Sequence, residues 1–87
     1  MTDDQLDALG EELLAAHRRT IEARHAYFLR ADEDDPVLEL VYVDAVEAQA
    51  KADFTHRAAV LVRSRFNTPD DETVKVAREY LAGLGYA

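Results

Sequence analysis

The chain has 87 residues, almost half of them apolar, which is enough for one domain with a modest core. Eighteen acidic residues against ten basic residues give a formal charge of −8, which disfavours direct binding to nucleic acids and to anionic lipid surfaces. Cysteine is absent, so disulfides, thiolate zinc sites and cysteine nucleophiles are excluded.

The start of the chain and its hydropathy predict a soluble, cytoplasmic protein. Residues 1–4 carry two acidic side chains and neither the positive charge nor the apolar core of a signal peptide. No apolar run approaches the roughly 18 to 20 residues that would span a bilayer. We therefore expect no membrane contact.

The first predicted element is a long helix over about residues 3–30. Thr2 and Gln5 have the spacing of a capping box, and acidic residues follow at the positive end of the helix dipole. The middle of its apolar stripe consists of small residues, namely Ala16, Thr20 and Ala23. Small residues there would let a second helix approach closely.

The second predicted helix spans about residues 36–66 and follows an acidic turn. Asp35 is its predicted N-cap, and Pro36 takes the first helical position, where proline is tolerated. No glycine and no further proline interrupts the segment, so one helix of about 45 Å is expected.

Two apolar stripes run along this second helix. The first comprises Leu38, Val41, Ala45, Ala48, Ala52, Ala59, Val62 and Phe66, and the second comprises Leu40, Val43, Ala50, Phe54, Ala58 and Leu61. The first stripe is predicted to cover the first helix. A third helix can cover only part of the second stripe, so the remainder is a candidate homodimer seam or partner surface.

The third predicted helix runs over about residues 69–82. Thr68 and Pro69 give it a start signal, and Gly83 and Gly85 end it.

The order of charges favours an antiparallel arrangement of the first two helices. Both helices are acidic early and basic late, so folding back at the acidic turn sets opposite signs side by side. The same order could also pair two chains. The sequence thus predicts an all-α fold in a single domain of residues 1–87: an antiparallel hairpin of two long helices plus a short C-terminal third helix.

Two acid-x-x-His spacings are the sharpest candidates for metal chemistry. Glu22 with His25, and Asp53 with His56, would each share a helix face. In the antiparallel hairpin, however, the two pairs lie about 16 Å apart along the axis, so they cannot share a metal within one chain. Solvated or capping histidines are favoured, and we predict no metal and no cofactor.

No catalytic arrangement is recognisable, so we predict that the chain is not an enzyme. His17 lacks the lysine-glycine pair that usually follows the histidine of phosphotransfer helices, since Thr20 and Ile21 occupy that region. Ser64 lies among arginines at a helix end and forms no credible triad.

A family resemblance rests on three short stretches of the first two helices: His17-Arg18-Arg19 with Ile21-Glu22, then Phe28, then Tyr42-Val43-Asp44-Ala45. These stretches resemble the small helical antiactivators of quorum-sensing regulators on conjugative elements, the TraM and QseM type. The resemblance implies a protein that binds a LuxR-family transcriptional activator on or near its DNA-binding domain and so blocks transfer genes. Its acidic surface could also mimic DNA.

The predicted partner surface is the unshared apolar face together with the C-terminal tail. Its candidate anchors are Tyr42, Val46, Phe54, Leu61, Tyr80, Leu84 and Tyr86. Plain packing between helices is the alternative for each of them, except that Tyr86 lies too close to the terminus to be needed for a core. The alternative function is that of a self-associating helical accessory protein, in which a second copy covers this face.

Overall fold

The computed structural model describes residues 1–30, 35–64 and 72–86. Three helices, α1 (Asp3–Leu29), α2 (Pro36–Arg63) and α3 (Glu72–Gly83), account for these ranges, which contain no strand. The predicted all-α fold, with two long helices packed together and a short third helix, is confirmed. Positions 65–71, which include the predicted end of the second helix and start of the third, lie outside the described residues.

The predicted caps of the two long helices are confirmed. The backbone N–H of Gln5 donates to Thr2 Oγ1 at 3.2 Å, and the N–H of Thr2 donates to Gln5 Oε1 at 2.9 Å, which completes a capping box. At the start of α2, the N–H of Val37 donates to Asp35 Oδ1 at 3.0 Å. These bonds satisfy backbone donors that a helix leaves unpaired in its first turn.

Small residues let α1 and α2 pack closely and antiparallel. Ala16 and Ala23 are buried in the seam. Between them, the hydroxyl of Thr20 lies 3.0 Å from the carbonyl oxygen of Ala16 and 3.1 Å from that of Ala45 in α2. A side chain as short as threonine reaches the backbone of a neighbouring helix only where the two helices approach closely, as the sequence predicted.

The side of α2 that faces α1 matches the predicted first stripe only in part. Ala45 lies against Thr20 of α1, as predicted. Val41 and Ala48 are exposed, whereas Tyr42 and Gln49 lie in the seam. The ring of Tyr42 packs 5.7 Å from that of Tyr27, and the amide Nε2 of Gln49 lies 3.1 Å from His17 Nδ1. The face of α2 that contacts α1 is therefore rotated about the helix axis, by part of a turn, from the face that the sequence predicted. An alanine-rich helix is nearly as apolar on its flank as in its seam, so its hydrophobic period is a weak guide to orientation.

The core lies at the end of the hairpin where α3 packs, which we call the core end. Its buried side chains are Leu9 from α1, Ala58 and Ala59 from α2, and Ala77 and Leu81 from α3. The other end, which carries Leu29 and Pro36 and which we call the turn end, has only the two long helices. No residue of α2 before Thr55 is fully buried.

A turn after α3 brings the C-terminal aromatic residue back to the core. Gly85 has a φ of 92°, a left-handed conformation that glycine adopts without strain. The N–H of Tyr86 donates to the carbonyl of Leu81 at 2.9 Å, and the N–H of Gly85 donates to that of Ala82 at 3.0 Å, as in a Schellman motif. Tyr86 consequently packs against the core cluster, so the expectation that it stands apart from the core is wrong.

The predicted order of charges corresponds to few direct contacts. Within the described ranges, one ion pair joins α1 to α2, between Asp3 and Arg63 at the core end. The other ion pair, between Asp53 and Arg57, lies within α2. None of the helices in the described part of the chain is both long enough and apolar enough to cross a membrane.

Candidate protein-binding surface

A groove between α1 and α2 lies on the side of the hairpin where α3 packs. Two adjoining parts, of about 510 and 550 Å³, share Ala16, Arg19 and Ala48 in their walls. Its apolar lining is mostly alanine: Ala15, Ala16, Ala23, Ala45, Ala48 and Ala52. We call it the alanine groove.

Its shape follows from the sequence. Alanine side chains fill little of the space between two helices, so the groove runs along the close helix contact around Thr20. Leu84 and Tyr86 line one end, because the turn after α3 places them there. The groove thus begins where α3 ends, and it continues towards the turn end.

Charged side chains of both signs stand around the groove. Glu12, Arg19 and Glu22 contribute from α1, and Asp44 and Lys51 from α2. All five are exposed and none takes part in an ion pair in the described structure. A narrow apolar floor with a charged rim resembles the surface that an amphipathic helix needs, since the helix can bury its apolar face and keep its polar flanks in water.

The opposite side of the hairpin carries a line of exposed apolar side chains. Leu14, Ile21 and Phe28 follow one another at intervals of seven residues on α1, and all three are more than half exposed. Val43, Val46 and Ala50 are exposed on α2. We call this side the back face. Side chains seven residues apart stand nearly in line along a helix, so these residues form a continuous ridge of about 21 Å.

The seven predicted anchors do not form one patch. Val46 is exposed on the back face, whereas Tyr42 lies in the seam against Tyr27. Phe54 stands at the outer side of α2, where its ring meets that of Tyr80 edge-on at 4.8 Å.

The remaining anchors lie at the core end. Leu61, Tyr80 and Tyr86 pack against the core cluster, and the hydroxyl of Tyr80 lies 2.8 Å from that of Thr55. Leu84 is exposed at the end of the groove. Much of the surface of the three packed residues is thus used by the fold.

The candidate metal-binding pairs are separated and partly engaged. Glu22 and His25 are exposed on α1, and Asp53 is paired with Arg57 at 3.0 Å. Nowhere in the described ranges do three or more potential ligands gather in a cluster that could hold a metal ion.

Sequence reasoning missed two polar contacts between α1 and α2. His17 pairs with Gln49 across the helices, and His56 packs over Gly10, with its Nε2 atom 3.6 Å from where a Cβ would stand on that glycine. The glycine was the available signal, because a glycine inside a helix often marks the close approach of a neighbouring group.

The fold and the groove define a class of small, antiparallel helical hairpins with a short third helix at one end. Comparison of the chain with protein-family models, with curated proteins and with solved structures found no match.

Proposed function

We propose that the chain is a protein-binding regulator without catalytic activity, and that the alanine groove receives a helix of its partner. The observation that carries this proposal is that the groove is continuous with the surface of the hairpin on which α3 packs. On this side of the hairpin, α3 packs over Ala58 and Ala59, and the alanine floor then continues through Ala52 and Ala48 beyond the end of α3. A second helix placed in line with α3 would find a surface of the same kind.

The proposed partner is a LuxR-family transcriptional activator, as the resemblance to the TraM and QseM antiactivators implies. A DNA-binding domain is basic, so a chain with a formal charge of −8 would attract it over several ångströms before contact. Occupation of the groove by a helix of that domain would remove the helix from DNA. The chain would then act by sequestering the activator.

The absence of catalytic activity is proposed from the positions of the chemically active side chains. His17 is engaged with Gln49, and Ser64 caps the end of α2, far along the hairpin from His17. The groove is lined mainly by alanine and by exposed charged residues. Such a lining suits recognition of another chain better than activation of a nucleophile.

The test measures binding to a LuxR-type activator and the activator's affinity for its operator DNA. We expect the chain to co-purify with the activator and to release it from DNA in a gel-shift assay. Ala48→Glu should weaken the binding by at least about tenfold, because it puts an unpaired carboxylate over the apolar floor.

The matched control is Ala8→Glu, which makes the same change at an exposed alanine of α1 that does not line the groove. Its binding should equal that of the unchanged chain. If the chain binds no activator, the proposed partner is wrong; if both variants lose binding equally, the groove is not the site.

A second candidate function is that of a self-associating helical accessory protein. The back face favours it, because its exposed apolar ridge lies on the side that α3 leaves uncovered. Both functions could belong to one chain, since the groove and the back face lie on opposite sides of the hairpin.

A further inference from the structure

The alanine groove extends well beyond the end of α3. Leu84, the residue that follows α3, lines the groove together with Lys51 and Ala52 of α2. From Ala52 back to Pro36, where α2 begins, the hairpin extends for about 24 Å at 1.5 Å per residue. A helix of about 16 residues has this length. The groove beyond α3 is therefore long enough for about four turns of a second helix.

The apolar floor of the groove ends in larger side chains. Its middle is alanine, but Val41 lines it towards the turn end and is half exposed. Val37 stands one helical turn before Val41 and therefore extends the same stripe of α2. Leu29 extends α1 in the same way, because it comes seven residues after Glu22, which lines the groove. A helix that fits this floor has large side chains over the alanines and small ones near the turn end.

Two carboxylates stand opposite each other in the half of the groove near the turn end. Glu22 lines it from α1 and Asp44 lines it from α2. The hydroxyl of Thr20 bonds to the carbonyl of Ala45, so these two residues are level in the hairpin. Glu22 lies two positions further along α1 and Asp44 one position back along α2, so the carboxylates are level to within about 1.5 Å.

The charges on the rim change sign along the groove. Neither Glu22 nor Asp44 forms an ion pair in the part of the chain that the structure describes. The half nearer α3 has two cations, Arg19 and Lys51, and one acid, Glu12. A positive side chain is therefore favoured near the turn end, where two negative charges on opposite walls would both attract it.

We propose that Glu22 and Asp44 determine which helices the alanine groove accepts, by receiving a lysine or arginine of the partner helix between them. The occupant is an amphipathic helix of about 16 residues, with its basic side chain in the half that lies towards the turn end. The inference rests on the proposed function in that the groove binds a helix, and it goes further by naming the residues that select this helix.

Selection by this pair differs from the attraction of the whole chain for a basic partner. The formal charge of −8 attracts any basic surface, whatever the positions of its charges, and salt screens this attraction over about 10 Å. Glu22 and Asp44 act only on the residue that lies between them. A helix with a neutral or acidic residue there would shield both carboxylates from water without pairing them, so the groove would reject it.

The first test compares two double variants of equal net charge. Glu22→Gln with Asp44→Asn removes the carboxylates of the groove, whereas Asp7→Asn with Glu79→Gln removes two exposed carboxylates that do not line it. Both variants change the formal charge from −8 to −6, so the attraction of the whole chain falls equally. We expect the first to weaken binding of a LuxR-type activator by at least about tenfold and the second by less than about threefold.

The outcomes of this test separate the inference from the proposed function. Equal weakening by the two double variants would show that only net charge matters, and the inference would be wrong. Unchanged binding by Glu22→Gln with Asp44→Asn, together with loss of binding by Ala48→Glu, would also overturn the inference but would support the groove as the binding site. Far-UV circular dichroism should show equal helix content in all variants.

The second test replaces the activator by two synthetic peptides. Each is an amphipathic helix of about 16 residues, held helical by a hydrocarbon staple on its outer face, and the two differ only in a lysine or a glutamate at the position that meets the carboxylates. Nuclear magnetic resonance of the isotope-labelled chain follows the amide signals of Ala23, Ala45 and Ala48. The lysine peptide should shift these signals at a concentration at least about tenfold below that of the glutamate peptide.

Reversing the charges of the pair should reverse this preference. Glu22→Lys with Asp44→Lys should bind the glutamate peptide more tightly than the lysine peptide, because the opposite charges now meet. Equal binding of the two peptides, no binding of either, or no reversal would overturn the inference. Shifts of the same signals when the concentration of the chain alone is raised would show that a second copy occupies the groove, and would also contradict it. Binding of the lysine peptide without binding of the activator would support the inference and show that the proposed partner is wrong.

Discussion

Replacing Leu81 by alanine should weaken the packing of α3 on the hairpin and remove a large part of the free energy of unfolding of the chain. Leu81 is 2% exposed and packs with Leu9, Ala58, Ala59 and Ala77. Three of these four buried neighbours are alanines, which have no side-chain rotamers with which to fill a cavity. The larger side chains beside Leu81, which include Met1, Val62 and Tyr86, could fill only part of it. The loss of unfolding free energy should therefore fall near the middle of the range for a buried leucine, about 3 to 4 kcal/mol.

Urea denaturation followed by far-UV circular dichroism measures this effect. With a slope of about 1.5 kcal/mol per molar urea, the midpoint should fall by about 2 M. The matched control is Leu40→Ala on α2, where the side chain is 67% exposed and the free energy of unfolding should change by less than about 0.5 kcal/mol. If Leu81→Ala and Leu40→Ala lower the midpoint equally, α3 is not seated on the hairpin as described, and the reasoning fails.

Two further substitutions test the turn after α3 and the seam. Gly85→Ala should lower the free energy of unfolding by about 1 kcal/mol, because Gly85 has a positive φ. Gly83→Ala is the control and should not lower the free energy of unfolding, because the space around Gly83 is open. Thr20→Val should cost about 1 kcal/mol, since it keeps the shape of the side chain and removes its hydrogen bond to α2. Thermal unfolding of each variant measures both effects, and a stabilised Gly85→Ala or Thr20→Val protein would contradict them.

Local signals in the sequence were sufficient to predict the helices and how the long ones begin. The capping box of Thr2 and Gln5, and the N-cap of Asp35 before Pro36, act within one turn of the chain, so they are readable without knowledge of the tertiary structure. The close approach of α1 and α2 was also predictable from local sequence. Ala16, Thr20 and Ala23 recur at helical spacing, and such small side chains let a neighbouring helix approach closely.

The orientation of α2 and the groove could not be predicted in the same way. Tyr42 and Gln49 replaced Val41 and Ala48 in the seam, because contacts with Tyr27 and His17 on the other helix outweigh a weak hydrophobic period. The alanine groove depends on where α3 ends relative to the hairpin, which the pattern of α3 alone does not specify. Tyr86 reached the core through a turn whose geometry follows from the two residues before it and from Leu81.

The two proposed surfaces lead to a prediction about stoichiometry. In the self-associated form that the second candidate function proposes, the back faces are joined and the two grooves face outwards, so each dimer should bind two partner helices. A dimeric activator could then engage both grooves or bridge two dimers, and its apparent affinity would exceed that of a single groove. Ile21→Glu puts a carboxylate on the back face, where Ile21 is 53% exposed. It should leave the affinity for one isolated partner helix unchanged and reduce the apparent affinity for a dimeric activator, whereas Ala48→Glu should reduce both. Isothermal titration calorimetry with the two forms of the partner distinguishes these outcomes, and loss of helix binding in the Ile21→Glu variant would show that the groove and the back face are not independent.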